Sequence, residues 1–130
     1  MPITHRLAQA MVRVLDESTC VRSLSDWSGP AIAAPSTLRM WCGAIDLQSR
    51  DVLSFNVALW VICTATKLNV APADLLPFAE RRTRNKFLAK SGPLGHRLSV
   101  VSVPDFCAQQ TFLKHPYLVA EVARLVAERR

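Results

Sequence analysis

The side chains best placed for chemistry in this chain are cations. Arg81, Arg82, Arg84, Lys86, Lys90 and Arg97 follow one another with no acid between Glu80 and Asp105. The formal net charge of +6 is therefore concentrated in one stretch, and the rest of the sequence is close to neutral. Such a concentration is the electrostatic footprint of a polyanion binder. The alternative is a solvated basic face with no partner.

Other chemistries find little footing. Cys20, Cys42, Cys63 and Cys107 form no C-x-x-C pair and have no histidine at metal-ligand spacing, so no metal site is expected. Three of them sit in apolar surroundings, where a thiol behaves as a small buried hydrophobe. Reduced thiols imply a reducing, cytoplasmic location. His5, His96 and His115 have no acid or nucleophile at a telling spacing, and Cys107 and His115 read as a buried thiol and a helix-edge imidazole. No glycine-rich phosphate loop, paired acidic motif or nucleophile elbow is present. The expectation is a protein that is not an enzyme and needs no cofactor. No signal-peptide pattern is read at the N-terminus, and the uncharged run Val52–Thr66 is too short to span a bilayer comfortably. No membrane partner is expected.

The elements that must position the cations are organised around Val52 to Leu68. This run contains no Gly or Pro, and its apolar side chains point in every direction. A helix apolar all round must be buried on several sides. Ser49 is the expected N-cap, with Asp51 in the first turn. Trp27, Trp41 and Trp60 are expected to fill the core.

Ahead of this axle, residues 3–16 carry Ile3, Leu7, Met11 and Val14 or Leu15 on one stripe of an amphipathic helix. Ser23 with Asp26 caps a short helix that Gly29-Pro30 is expected to stop. Pro35 opens a second helix, 35–45, which buries Leu38, Trp41, Cys42 and Ile45. Behind the axle, Asn69 and Pro72 read as a cap and a first-turn proline, and Pro77 demands a break. Thr83 is the expected cap of a helix over 84–91, anchored by Phe87 and Leu88 and ended by Gly92-Pro93. Leu98 to Val103 reads as an extended segment on the core, stopped by Pro104. Asp105 is expected to cap a short helix carrying Phe106, Phe112 and Leu113. Pro116 opens a last amphipathic helix with Leu118, Val122 and Leu125 buried, and Arg124, Arg129 and Arg130 near its negative end.

Taken together, residues 22–92 resemble the DNA-binding domain of AraC/XylS-type bacterial transcription regulators. The resemblance rests on SLSDWSGPAIAAPSTLRMWCGAIDL, then SRDVLSFNVALWVICTATKLN, then APADLLPFAERRTRNKFLAKSG. It implies an all-α fold of two helix-turn-helix units around a long buried central helix. An N-terminal helix (1–21) and a C-terminal helical extension (93–130) would complete one compact domain. It further implies that exposed residues of each second helix reach bases in the major groove of double-stranded DNA. By position these are Ser36, Thr37, Arg39, Met40 and Gly43 in the first unit. In the second they are Thr83, Arg84, Asn85, Lys86 and Lys90, with Arg81 and Arg82 beside them. Arginine forks to guanine, asparagine pairs with adenine, and lysines contact phosphates. The first unit departs from the family pattern: the basic residues usual near Met40 and Gly43 are absent, and Asp46 stands where a glycine is common. The competing expectation is a degenerate helix-turn-helix protein that binds another protein, or itself, through residues 116–130.

Overall fold

A computed structural model of the chain describes residues 2–92 and 102–129. Among these residues there are seven α-helices and two 3₁₀ turns and no strand, so the fold class is all-α. The helices are α1 (Ile3–Val12), α2 (Leu24–Ala31), α3 (Pro35–Ala44), α4 (Ser49–Leu68), α5 (Arg81–Lys90), α6 (Val103–Gln109) and α7 (Pro116–Glu128). The expected extended segment from Leu98, together with His96 and Arg97, lies outside the described residues apart from its last two positions.

The axle is α4. Every residue from Phe55 to Ile62 is buried, on all sides of the helix, as apolar faces all round require. Its 20 residues run about 30 Å at the α-helical rise. That is longer than the uncharged run suggested, and α4 has the length and apolarity of a membrane span. Its middle is nevertheless enclosed by the chain's own elements: α3, α6 and both 3₁₀ turns pack against it. Leu68 is not part of that core but 57% exposed, because the last turn of α4 runs past its neighbours. Ser49 is the first helical residue rather than the cap; Gln48 precedes it, and no side chain caps the helix.

Around the axle, α1 and α7 lie along each other in the most extensive helix pairing of the fold. Leu7, Met11 and Val14 of the N-terminal stripe meet Leu118, Val122 and Val126 in one continuous core. Val126 takes the place expected of Leu125, which is only half-buried. His5 Nδ1 reaches Glu121 Oε1 at 3.1 Å across the pair, and Arg129 pairs with Asp16. The Trp27 indole N–H donates to the Ala10 carbonyl at 2.9 Å, and that of Trp60 to the Glu17 carbonyl at 2.9 Å. Both rings fill the core without stranding their donors; Trp41 is half-buried beside them.

Several helix ends differ from the expected ones, each for a backbone reason. α2 continues through Gly29 and Pro30 to Ala31. A proline so near the C-terminus forfeits only one bond, and the helix ends instead at Ile32, in the left-handed conformation (φ 55°). The Ala33 and Ile32 amides donate back to the Ser28 and Gly29 carbonyls, the paired bonds of a Schellman cap. α3 ends one residue early in the same way. Leu47 and Asp46 bond to Cys42 and Gly43, and Asp46 takes the left-handed place at φ 60°. Asn69 closes α4 (φ 55°) rather than opening the next element. α6 is capped by Ser102, whose hydroxyl accepts the Asp105 N–H, so Asp105 is a first-turn acid. Pro104, expected to end the extended segment, lies in the first turn of α6, which begins at Val103. Phe112 and Leu113 are buried but lie beyond the end of α6.

Candidate nucleic-acid interface

α5 carries five of the expected site residues' cations and holds itself together by unusually few contacts. Arg, Lys, Leu and Ala are good helix formers, so the segment turns helical without a side-chain cap. It begins at Arg81, three residues before the expected start, and Thr83 is an exposed residue of its first turn rather than its cap. Ahead of it Pro77 does break the chain. What precedes is a single 3₁₀ turn, Pro72–Leu75, then extended backbone from Leu76; a full first helix of a second helix-turn-helix unit is not formed there.

Phe87, buried, and Leu88, partly buried, anchor α5 on the core as expected. Phe87 packs its ring 4.9 Å from Phe78 and 5.1 Å from Phe112, centroid to centroid. The C-terminal end is tied to the loop after α6: the Thr111 N–H donates to the Lys90 carbonyl at 2.8 Å. Ser91, fully buried, donates its hydroxyl to Leu88 O. Gly92 then turns away at φ 64°, so close to Gln109 that an added Cβ would meet the Gln109 Cβ at 2.7 Å. Arg84 is drawn inward and donates to the Ala73 carbonyl at 3.2 Å, which joins the 3₁₀ turn to the helix. It is therefore a tether, half-buried, unlike its neighbours.

The remaining residues form the exposed face. Arg81, Arg82, Thr83, Asn85, Lys86 and Lys90 all point to solvent. None of the ion pairs found among the described residues involves α5; they join α1, α7 and the turn after α1. Arg81 and Arg82 even occupy the positive end of the helix, where a cation costs about 0.3–1 kcal/mol. These cations are exposed to solvent beside the N-cap residue Glu80, and none of them is held in an ion pair among the described residues.

The first unit looks different. α2 and α3 pack on each other across three linking residues, 32–34, a spacing that suits a helix-turn-helix. On α3, Leu38 and Cys42 are buried. Ser36, Arg39, Met40 and Gly43 are exposed and Thr37 is half-buried. Arg39 is the single charge on this face, Met40 is 61% exposed, and Gly43 has open space where a side chain would stand. α3 and α5 form no extensive packing on each other.

Burial pushes the thiols of Cys20, Cys42 and Cys107 up to about 11, so they are protonated at neutral pH. Glu121 is held below the usual carboxylate range, chiefly by the hydrogen bond from Arg124. Among the described residues no three acids, cysteines or histidines come together to hold a metal ion. Two features had no sequence signal that singled them out. Asn56 is buried in the middle of α4 with neither amide atom hydrogen-bonded, and Ile32 is 81% exposed in a left-handed backbone.

No family model, curated protein or solved structure matches the chain.

Proposed function

We propose that the protein binds double-stranded DNA through α5 and acts as a transcription regulator. The observation that carries this reading is the solvent-facing row of Arg81, Arg82, Lys86 and Lys90, without an acidic partner among the described residues. Exposed lysines and arginines suit contacts to backbone phosphates, and Asn85 among them supplies a fork suited to adenine. The succession of α2, α3 and a long α4 fits the first unit and linker of the AraC/XylS-like layout, while the second unit lacks its first helix and keeps only α5. In that reading base contacts fall to α5, because α3 offers only Arg39 as a cation.

The test is binding to a random-sequence duplex pool at about 50 and 200 mM salt, with sequencing of the bound fraction. Each phosphate contact contributes about 0.9 to the logarithmic salt slope. The double variant Arg82→Gln/Lys86→Gln removes two exposed cations and leaves the Arg84 tether in place. We expect its slope to fall by about 2 and its affinity at least tenfold. Wild-type binding that ignores salt, or a variant that binds equally well, overturns the role of α5.

A second reading is favoured by the other unit. Ile32 and Met40 are the large apolar side chains exposed around α3, 81% and 61%. Methionine surfaces suit adaptable protein contacts. On this reading α3 docks a partner protein, and Met40→Glu abolishes the complex while leaving DNA affinity intact. The apolar stripe of α7 is already covered by α1, which leaves that helix only its outer face, including the 82% exposed Tyr117, for any association.

A further inference from the structure

Between the first turns of α4 and the inner edge of α5 lies a cleft of about 590 Å³. Its aromatic side is Phe78, Phe87 and Phe112, and its rim carries Lys86, Lys90 and, from α4, Asp51. The chain thus joins an aromatic wall, two cations and one carboxylate in a space large enough for a small ligand. We propose that this cleft binds one nucleotide, with the base against the phenylalanines and the phosphate between Lys86 and Lys90.

Each part of the lining selects for part of that ligand. Phe87 and Phe112 are almost completely buried and hold each other in place. Phe78, partly exposed, packs on Phe87 and carries the Arg22 guanidinium 5.2 Å from its ring centroid. A base would meet only the ring surface that these two neighbours leave to the cleft. Stacking on an aromatic side chain is available to any base, since all have a π face. Lys86 and Lys90 are exposed and lack an acidic partner among the described residues, so an anion enters without breaking an existing pair. Asp51 decides against a simple aromatic acid. Its carboxylate accepts hydrogen bonds, which a base can supply from its N–H groups and an aromatic acid without such donors cannot. An anionic group, a planar ring and an N–H donor in one small molecule describe a nucleotide, free or unpaired within a strand.

The proposal shares Lys86 and Lys90 with the DNA-binding reading but does not require duplex recognition. The test is a titration of the whole protein with AMP, followed through the amide resonances of Ser54, Phe87 and Lys90. Adenosine and ribose 5-phosphate serve as controls that lack phosphate or base. AMP should saturate these shifts, with each control at least tenfold weaker. Lys86→Gln/Lys90→Gln, two substitutions at exposed positions, should weaken AMP at least tenfold and leave adenosine unchanged, with the unperturbed amide spectrum elsewhere as the check on folding. A short adenine single strand tells the two sources apart: tighter binding than AMP with the same shifts assigns the cleft to a strand, and equal binding assigns it to the free nucleotide. Ribose 5-phosphate binding as well as AMP, adenosine binding as well as AMP, or no shift at about 10 mM AMP overturns the proposal at an affinity a stacked and ion-paired base should exceed. Duplex affinity is measured separately without AMP. If the duplex binds and AMP does not, the cleft fails alone; if AMP binds and the duplex does not, the DNA reading fails alone.

Discussion

α3 and α5 are both ten-residue helices, and each follows a turn that a proline helps to shape. They spend their side chains in opposite ways. α3 sends Leu38 and Cys42 into the core, packs on α1, α2 and α4, and is closed by a Schellman turn at Asp46. α5 lies along no other helix; it is held by Phe87 and Leu88, by the Thr111 bond and by the Arg84 tether. A helix with several buried neighbours shares the stability of the whole domain, while one held at fewer points is expected to open more readily on its own. The difference separates two tasks within one scaffold. Cations without acidic partners repel one another, so they are tolerated where little else depends on the helix, and α5 is that place.

The largest effect should come from removing one buried side chain on each side of the comparison. Leu38→Ala is expected to lower global stability by about 2–5 kcal/mol, the usual cost of a buried leucine with its cavity. Phe87→Ala removes a ring of greater volume, yet its loss should fall mainly on α5. Native-state hydrogen exchange separates the two. Leu38→Ala should reduce protection throughout α4, whereas Phe87→Ala should erase protection in residues 81–90 and leave α4 nearly as before. Equal loss in α4 from both variants would mean that α5 is part of the cooperative core, and the contrast would fail.

A smaller effect is expected from the turns that close these regions, with opposite signs. Ile32, after α2, is a β-branched residue in left-handed backbone, a position that costs roughly 1–2 kcal/mol against glycine. Ile32→Gly should therefore raise stability by about 1 kcal/mol in thermal unfolding. Gly92, after α5, already has the suitable residue, with Gln109 pressed against it. Gly92→Ala adds both backbone strain and a clash, and should destabilise by at least about 1–2 kcal/mol. If Ile32→Gly instead destabilises, the isoleucine side chain has a role that its 81% exposure does not reveal.

Much of this arrangement was readable from the residues, and the failures share a cause. The stripes of α1 and α7, the all-round burial of α4 and the break at Pro77 follow from spacing and from a missing N–H. Cap positions were less legible. Ser49, Thr83 and Asp105 have the right side chains, but Gln48, Glu80 and Ser102 hold the extended backbone that defines a cap. Of the left-handed residues, Asp46 stands at a place where a glycine is common, but Ile32 is invisible because nothing in its type marks such a place. At the candidate site the exposed cations were identifiable from charge alone. The diversion of Arg84 to Ala73 was not, since it depends on how the 3₁₀ turn folds back. Nor was the cleft: its wall needs Phe112, which arrives from beyond α6. Asn56 was hidden by its neighbours, because a run that is apolar on every face has no polar side to which an amide belongs.

The smallest expected effect tests how locally α5 is held. Arg22 reaches from the approach to α2, placing its guanidinium 5.2 Å from the Phe78 ring centroid and donating to the Pro77 carbonyl at 3.3 Å. Both contacts fall on the bend before α5, and the Phe78 ring is one of the two on which Phe87 packs. An exposed cation–π contact is worth about 0.5–1 kcal/mol. Arg22→Ala should lower protection of the α5 amides by that amount and leave α3 unaffected, although Arg22 is nearer to α3 in sequence. Arg22→Lys should recover only part of the loss, because lysine keeps the charge but not the planar fork. Loss of protection in α3 instead would mean that the turn before α2, and not the ring of Phe78, is what Arg22 stabilises. The anchoring of α5 would then rest on Phe87, Leu88, Thr111 and Arg84.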